Sequence, residues 1–142
     1  MTKEEATKGI KKIVEKTLKL IPTTYEADLL PTKLLPNVPN WHCYERAIWQ
    51  NGESIRQILC EHKTLRKNKE LLNLFLTIAL NRNAKRGRQS FIMLFGYKHC
   101  SGYADSFIKQ IDDNSVNRHI IKTLNKMKVG QYASLLETYK TT

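Results

Sequence analysis

The sequence predicts an all-α chain. Three observations carry that expectation. Apolar residues recur at three- and four-residue spacing along most of the chain. Polar breaks, several holding glycine or proline, divide it into segments of roughly ten to fourteen residues. No alternating strand pattern of useful length occurs. With 142 residues, 41% of them apolar and 26% charged, the chain is long enough to hold a core and too apolar for wholesale disorder.

The first element is an amphipathic helix over residues 2–21. Thr2 and Glu5 have the spacing of a capping box. Ala6, Ile10, Ile13, Val14, Leu18 and Ile21 share one face, and lysines fill much of the other. Pro22 ends it. Residues 22–40 then form a linker marked by Pro22, Pro31, Pro36 and Pro39. Because that stretch also carries Tyr25, Leu29, Leu30, Leu34, Leu35 and Val38, it is expected to lie packed on the domain. The division is therefore 1–40 for this helix and linker, and 41–142 for the helices that follow.

Those helices are expected as follows. Trp41–Gln50 is closed by Asn51-Gly52, and Glu53–His62 follows it. Asn68 caps a third helix whose apolar residues run nearly all round, so it is sandwiched between neighbours. A fourth runs from Gly87 to Tyr97 and a fifth from Gly102 to Ile111. Ser115 caps a sixth that reaches Lys128 and stops at Gly130, and Gln131–Tyr139 is the seventh. Trp41 and Trp49, eight apart, are expected in the core.

Two of these helix pairs repeat at an offset of 29 residues. Phe91, Ile92 and Phe95 align with Ile120, Ile121 and Leu124, and Tyr103, Ala104 and Phe107 with Tyr132, Ala133 and Leu136. A fainter copy begins at Arg56-Gln57-Ile58-Leu59. Each unit is a helix, a tight turn and a second helix.

On these residues the chain resembles the HEAT-like repeat family in its short bacterial form, best over residues 87–137. Ala104–Ile111 looks like a first helix, Asp112 to Arg118 like the family's acidic turn with its Val-x-Arg element, and His119–Lys128 like a second helix. Asn117 separates Val116 from the arginine, and the turn at 81–88 is basic where the family has an Asp. The resemblance implies a right-handed α-solenoid of stacked antiparallel helix pairs, about three repeats with the last incomplete, whose second helices line a concave face. The chain ends on a first helix without its partner, which fits a cap or, given Thr141-Thr142, a piece of a longer protein.

Charge supplies the functional signal. Lys and Arg number 24 against 13 Asp and Glu, a net +11, which favours an acidic partner. Between positions 63 and 88, eight cations face only Glu70. Solenoid geometry would set Lys85, Arg86 and Arg88 beside the concave face, together with Arg56, Arg118, Lys122 and Lys126. This predicts a non-enzymatic interaction adaptor. Its partner is an acidic protein segment ahead of nucleic acid, since few aromatics interleave the cations for base stacking.

Two alternatives stay open: a nucleic-acid-binding module, and a HEAT-like DNA glycosylase acting on alkylated bases. The second needs a facing Trp and Asp that cannot be matched here. A helix-turn-helix over 116–139 would lack its groove-reading helix.

Other chemistry is thin. His42-Cys43, Cys60-x-His62 and His99-Cys100 lack the paired spacing of a zinc site, so neither a metal nor a cofactor is expected. Asp112-Asp113 reads as a turn cap, and no Gly-rich phosphate loop is present. The start of the chain as given has no secretory signal and no apolar run is long enough to cross a membrane. With three cysteines and no CxxC, a reducing, cytoplasmic setting is expected.

Overall fold

A computed structural model describes residues 1–23 and 41–140. All regular structure among the described residues is helical. The α-helices are α1 (Lys3–Leu20), α2 (Cys43–Glu61), α3 (Lys69–Ala79), α4 (Gln89–Met93), α5 (Ala104–Ile108), α6 (Asn117–Met127) and α7 (Ala133–Lys140). Short 3-10 turns at Lys63–Lys67, Arg82–Arg88, Lys98–Tyr103 and Gly130–Tyr132 precede α3, α4, α5 and α7. The packed linker expected over 22–40 falls, from residue 24 on, outside the described residues.

Helix α1 begins as its first residues dictate. The Thr2 hydroxyl accepts from the Glu5 N–H at 3.1 Å, and the Glu5 carboxylate accepts from the Thr2 N–H at 3.4 Å. Its buried face is Ala6, Ile10, Val14 and Thr17. Leu18, expected inward, is 42% exposed. Thr17 takes the buried place because its hydroxyl is satisfied twice. It donates to the Ile13 carbonyl at 2.7 Å and accepts from the Asn51 amide at 2.9 Å.

One continuous helix, α2, replaces the two expected on either side of Asn51-Gly52. Gly52 does not end it; the residue is buried where α2 meets α4. A Cβ there would stand 2.0 Å from the Ser90 Oγ and 2.7 Å from the Ser90 Cβ. Glycine is thus demanded by close approach of a neighbouring element, a need that local sequence does not distinguish from a helix stop.

The cap on α3 is the expected one, Asn68 accepting from the Leu71 N–H at 3.1 Å. Leu71, Leu72, Phe75, Ile78 and Ala79 are buried, with α1 on one flank and α4 on the other. The helix expected over 87–97 is shorter. Turn 82–88 kinks at Lys85 (φ 49°, ψ −130°) before α4 begins. It lies directly on α2, where a Cβ on Gly87 would meet the Glu45 carbonyl oxygen at 2.7 Å. After Met93 the helix tightens into i→i+3 bonds that end at Gly96.

Helix α6 packs on α4 and α5. Ser115 does not cap it: its hydroxyl donates to Asp113 Oδ1 at 2.6 Å, and Val116 occupies the cap position. Lys128, in the left-handed region at φ 59°, ends α6 two residues before Gly130. The 29-residue offset has a local counterpart. Tyr103 and Tyr132 each close a 3-10 turn, and Ala104 and Ala133 each open an α-helix. Phe107 and Leu136 are both buried, whereas Ala104 is buried and Ala133 exposed. Trp41 and Trp49, expected in the core, are only half-buried. Arg86 lies over the first ring at 5.1 Å and Arg46 over the second at 5.2 Å. The buried apolar side chains form one cluster running from Ala6 to Leu136.

Candidate anion-binding site

The fold treats the two halves of the basic stretch differently. In turn 82–88 the three arginines are each paired with a carboxylate from a distant position. Arg82 pairs with Asp112 at 2.9 Å, and this hydrogen bond holds the Asp112 carboxyl below its ordinary range. Arg86 donates its backbone N–H to Glu45 at 3.0 Å and its guanidinium to both carboxylate oxygens at 3.3 and 3.4 Å. Glu45 is fully buried and also accepts from the His42 N–H at 2.6 Å, so one carboxylate caps α2 and anchors the turn.

Arg88 is fully buried as well. It donates to Asp113 at 2.5 Å, Gln110 at 2.8 Å and the Ala79 carbonyl, at the end of α3, at 3.0 Å. Burial by itself would raise the Asp113 pKa. Hydrogen bonds from the Ser115 hydroxyl and backbone, with the Arg88 charge, more than reverse this and leave it below the ordinary range. Arg88 is therefore a core side chain and offers no surface to a partner. Arg86 faces Glu45 and Trp41, and Lys85 is half-buried at the kink. None of the three lines the cavity that Arg56 and Lys126 share.

Of the other four residues expected on the cationic face, two come together. A recessed cavity of about 140 Å³ is lined by Arg56 and Leu59 of α2, Arg66 of turn 63–67, Met93 of α4, Leu94, Gly96 and Tyr97 after it, and Lys126 of α6. Arg56 is held at 2.7 Å by Glu53, one helical turn earlier, and that bond raises its pKa above the ordinary value. Arg66 and Lys126 meet no carboxylate among the described residues, so the cavity carries two uncompensated positive charges. Lys122 and Arg118 continue from Lys126 at four-residue steps along the exposed side of α6. His119, half-buried beside Lys122, has its pKa lowered by burial first and by the Lys122 charge second.

The wall of the cavity is preorganised. The Arg66 guanidinium lies 5.2 Å from the Tyr97 ring centroid, and His99 stacks on that ring at 5.4 Å while contacting the Arg66 carbonyl at 3.1 Å. The exposed Cys60, beside the cavity rather than in its lining, meets both guanidinium groups with a soft acceptor, its Sγ standing 3.6 Å from Arg66 Nη2 and 3.9 Å from Arg56 Nη1. Arg66 Nε is buried and has no hydrogen-bond partner among the described residues.

A larger concavity of about 710 Å³ is lined by Arg82, Asn83 and Asp112 to Ser115. Arg82, Asp112 and Asp113 are already engaged in ion pairs there. No group of three or more His, Cys, Asp or Glu able to hold a metal stands together among the described residues, and no described helix is long and apolar enough to cross a membrane.

Tyr97, Cys60 and the position of Arg66 inside a cavity are additions that sequence reasoning missed. Arg66 stood within the counted basic stretch, but nothing local marks its meeting with residues 30 and 60 positions away. The described residues thus form an all-helical fold with a cationic cavity at the junction of α2, α4 and α6. No protein-family model matches it, and no curated protein or solved structure gives a significant match.

Proposed function

We propose that the chain is a non-enzymatic binding module of stacked HEAT-like helical hairpins that takes an acidic protein segment on a cationic face. One observation carries this. The cavity walls come from the latter half of α2, from α4 and from α6. The repeat pattern makes α4 and α6 second helices, the elements that line the concave side of such a stack, and in the first unit the corresponding segment is the latter half of the continuous α2. Packing of α2 on α4 and of α4 on α6 supports the same order. The face comprises Arg56, Arg66 and Lys126, extended by Lys122 and Arg118.

Recognition on this face is electrostatic. Exposed cations at its rim steer an acidic segment into contact and set the salt dependence, while the half-buried Arg66 fixes geometry. A fluorescent Asp/Glu-rich peptide and an oligonucleotide of equal charge, titrated across a salt series, test the proposal. R66E/K126E should weaken peptide binding at least tenfold. K8E/K12E, the same charge change on the exposed side of α1, should have little effect. Equal losses in both variants would mean that net charge alone matters. Tighter binding of the oligonucleotide would move the module to the nucleic-acid class.

A further inference from the structure

Resting on that reading, we infer that the Arg56/Arg66/Lys126 cavity is a phosphoryl pocket, which takes the phosphomonoester of a phosphorylated serine or threonine within the acidic partner. Charge, size and hydrogen-bonding capacity agree on this ligand.

A phosphomonoester carries about −1.5 to −2 at neutral pH. The cavity holds two uncompensated cations, Arg66 and Lys126, beside the Arg56–Glu53 pair. A carboxylate would leave one of those charges unmatched, and so would the single charge of a phosphodiester. The volume of about 140 Å³ is well below the roughly 300 Å³ at which pockets begin to hold whole small molecules. It admits a phosphoryl group on a short stalk and not a base with its sugar. A recess of this kind also suits a group at the tip of a side chain better than one inside a continuous backbone.

The donors are in place and weakly committed. Arg56 Nη1 and Arg66 Nη2 both point at the Cys60 thiol, a poor acceptor. Arg66 Nη2 can exchange the thiol for a phosphate oxygen without giving up a strong bond, and Arg56 can offer Nη1 while its Nε stays on Glu53; charge-assisted bonds to phosphate are about twice as strong as neutral ones. Tyr97 and His99 brace Arg66 from behind, so little side-chain freedom is lost on binding. Neither exposed cysteine lines the cavity, but Cys60 touches the two guanidinium groups that a bound phosphate would engage, whereas Cys43 stands on the first turn of α2.

The test compares three peptides of one acidic sequence carrying phosphoserine, serine or glutamate at the centre, and a 5′-phosphorylated oligonucleotide. The expected result is at least about tenfold tighter binding of the phosphoserine peptide than of either analogue. That peptide should protect Cys60 from iodoacetamide while Cys43 reacts at its unliganded rate. R66Q and K126Q should each weaken the phosphoserine peptide by a larger factor than the serine peptide, so that the ratio of the two affinities falls toward one. Protection of Cys60 is read on the unsubstituted protein, so the result stands even if a variant fails to fold. Equal binding of the three peptides with Cys60 unprotected overturns the pocket and leaves the acidic-partner reading intact. Stronger protection by the oligonucleotide overturns the phosphopeptide assignment. Failure of every peptide to bind overturns both.

Discussion

Replacing Arg88 by Met should be among the most damaging single changes in this protein. The side chain is wholly buried and its Asp113 partner is only 11% exposed, so solvent can replace little of what is removed. Methionine fills much of the same space, which keeps any cavity contribution small. What remains is electrostatic. The Asp113 carboxylate keeps its Ser115 bonds but loses its counter-charge, and the Ala79 carbonyl and Gln110 side chain lose a donor. Breaking a buried pair on one side destabilises by about 3–5 kcal/mol. For a chain of this length that corresponds to a fall in melting temperature on the order of 10–15 °C. D113N should be at least as severe, because it strands a guanidinium in the core. The double replacement R88M/D113L should be milder than the sum of its parts. Urea unfolding followed by circular dichroism measures each value. R82Q, which removes the exposed Arg82–Asp112 pair from the same turn, should leave the melting temperature nearly unchanged. A loss below about 1 kcal/mol for R88M would refute the reading of Arg88 as a buried ion-paired core side chain.

Other outcomes follow from the same packing. S90A should raise stability by about 1 kcal/mol, because the buried Ser90 hydroxyl has no hydrogen-bond partner among the described residues, whereas G52A should lower it by about 1–3 kcal/mol through overpacking; thermal melts distinguish the signs. His119 has a folded pKa below its unfolded value of about 6.5. Its stabilising contribution is therefore complete above that pH and is lost as pH falls through the depressed folded value; H119Q should flatten this limb of a melting-temperature profile. Asp113, likewise lowered, contributes fully above about pH 4 and loses its contribution as pH falls further. Cys100, buried with its thiol pushed up to about 11, should resist iodoacetamide in the native protein under conditions where Cys43 reacts.

The sequence is legible where the physics is local. The Thr2–Glu5 box and the Asn68 cap each depend on residues three apart, and both stand as expected. Errors arose where a distant element decides. Gly52 reads as a stop until Ser90 is seen against it. Ser115 reads as a cap until Asp113 is found taking its hydroxyl. Counting charge along the chain misjudged turn 82–88 for the same reason: Glu45 is 41 positions from Arg86, and Asp113 is 25 from Arg88. The cations at 63–69 looked identical in one dimension. Arg66 ends beside Lys126 only because α6 packs back onto α4.

The bare backbone at Gly52 has an effect one turn farther on. With no side chain on α2 at that crossing, Ser90 and Phe91 of α4 come up against its bare backbone. Arg56 stands four residues beyond this crossing on one helix, and Met93 three residues beyond it on the other. The opening between them is thereby gauged from outside the cavity, so a single methyl group added at position 52 would reset the spacing of two walls it never touches.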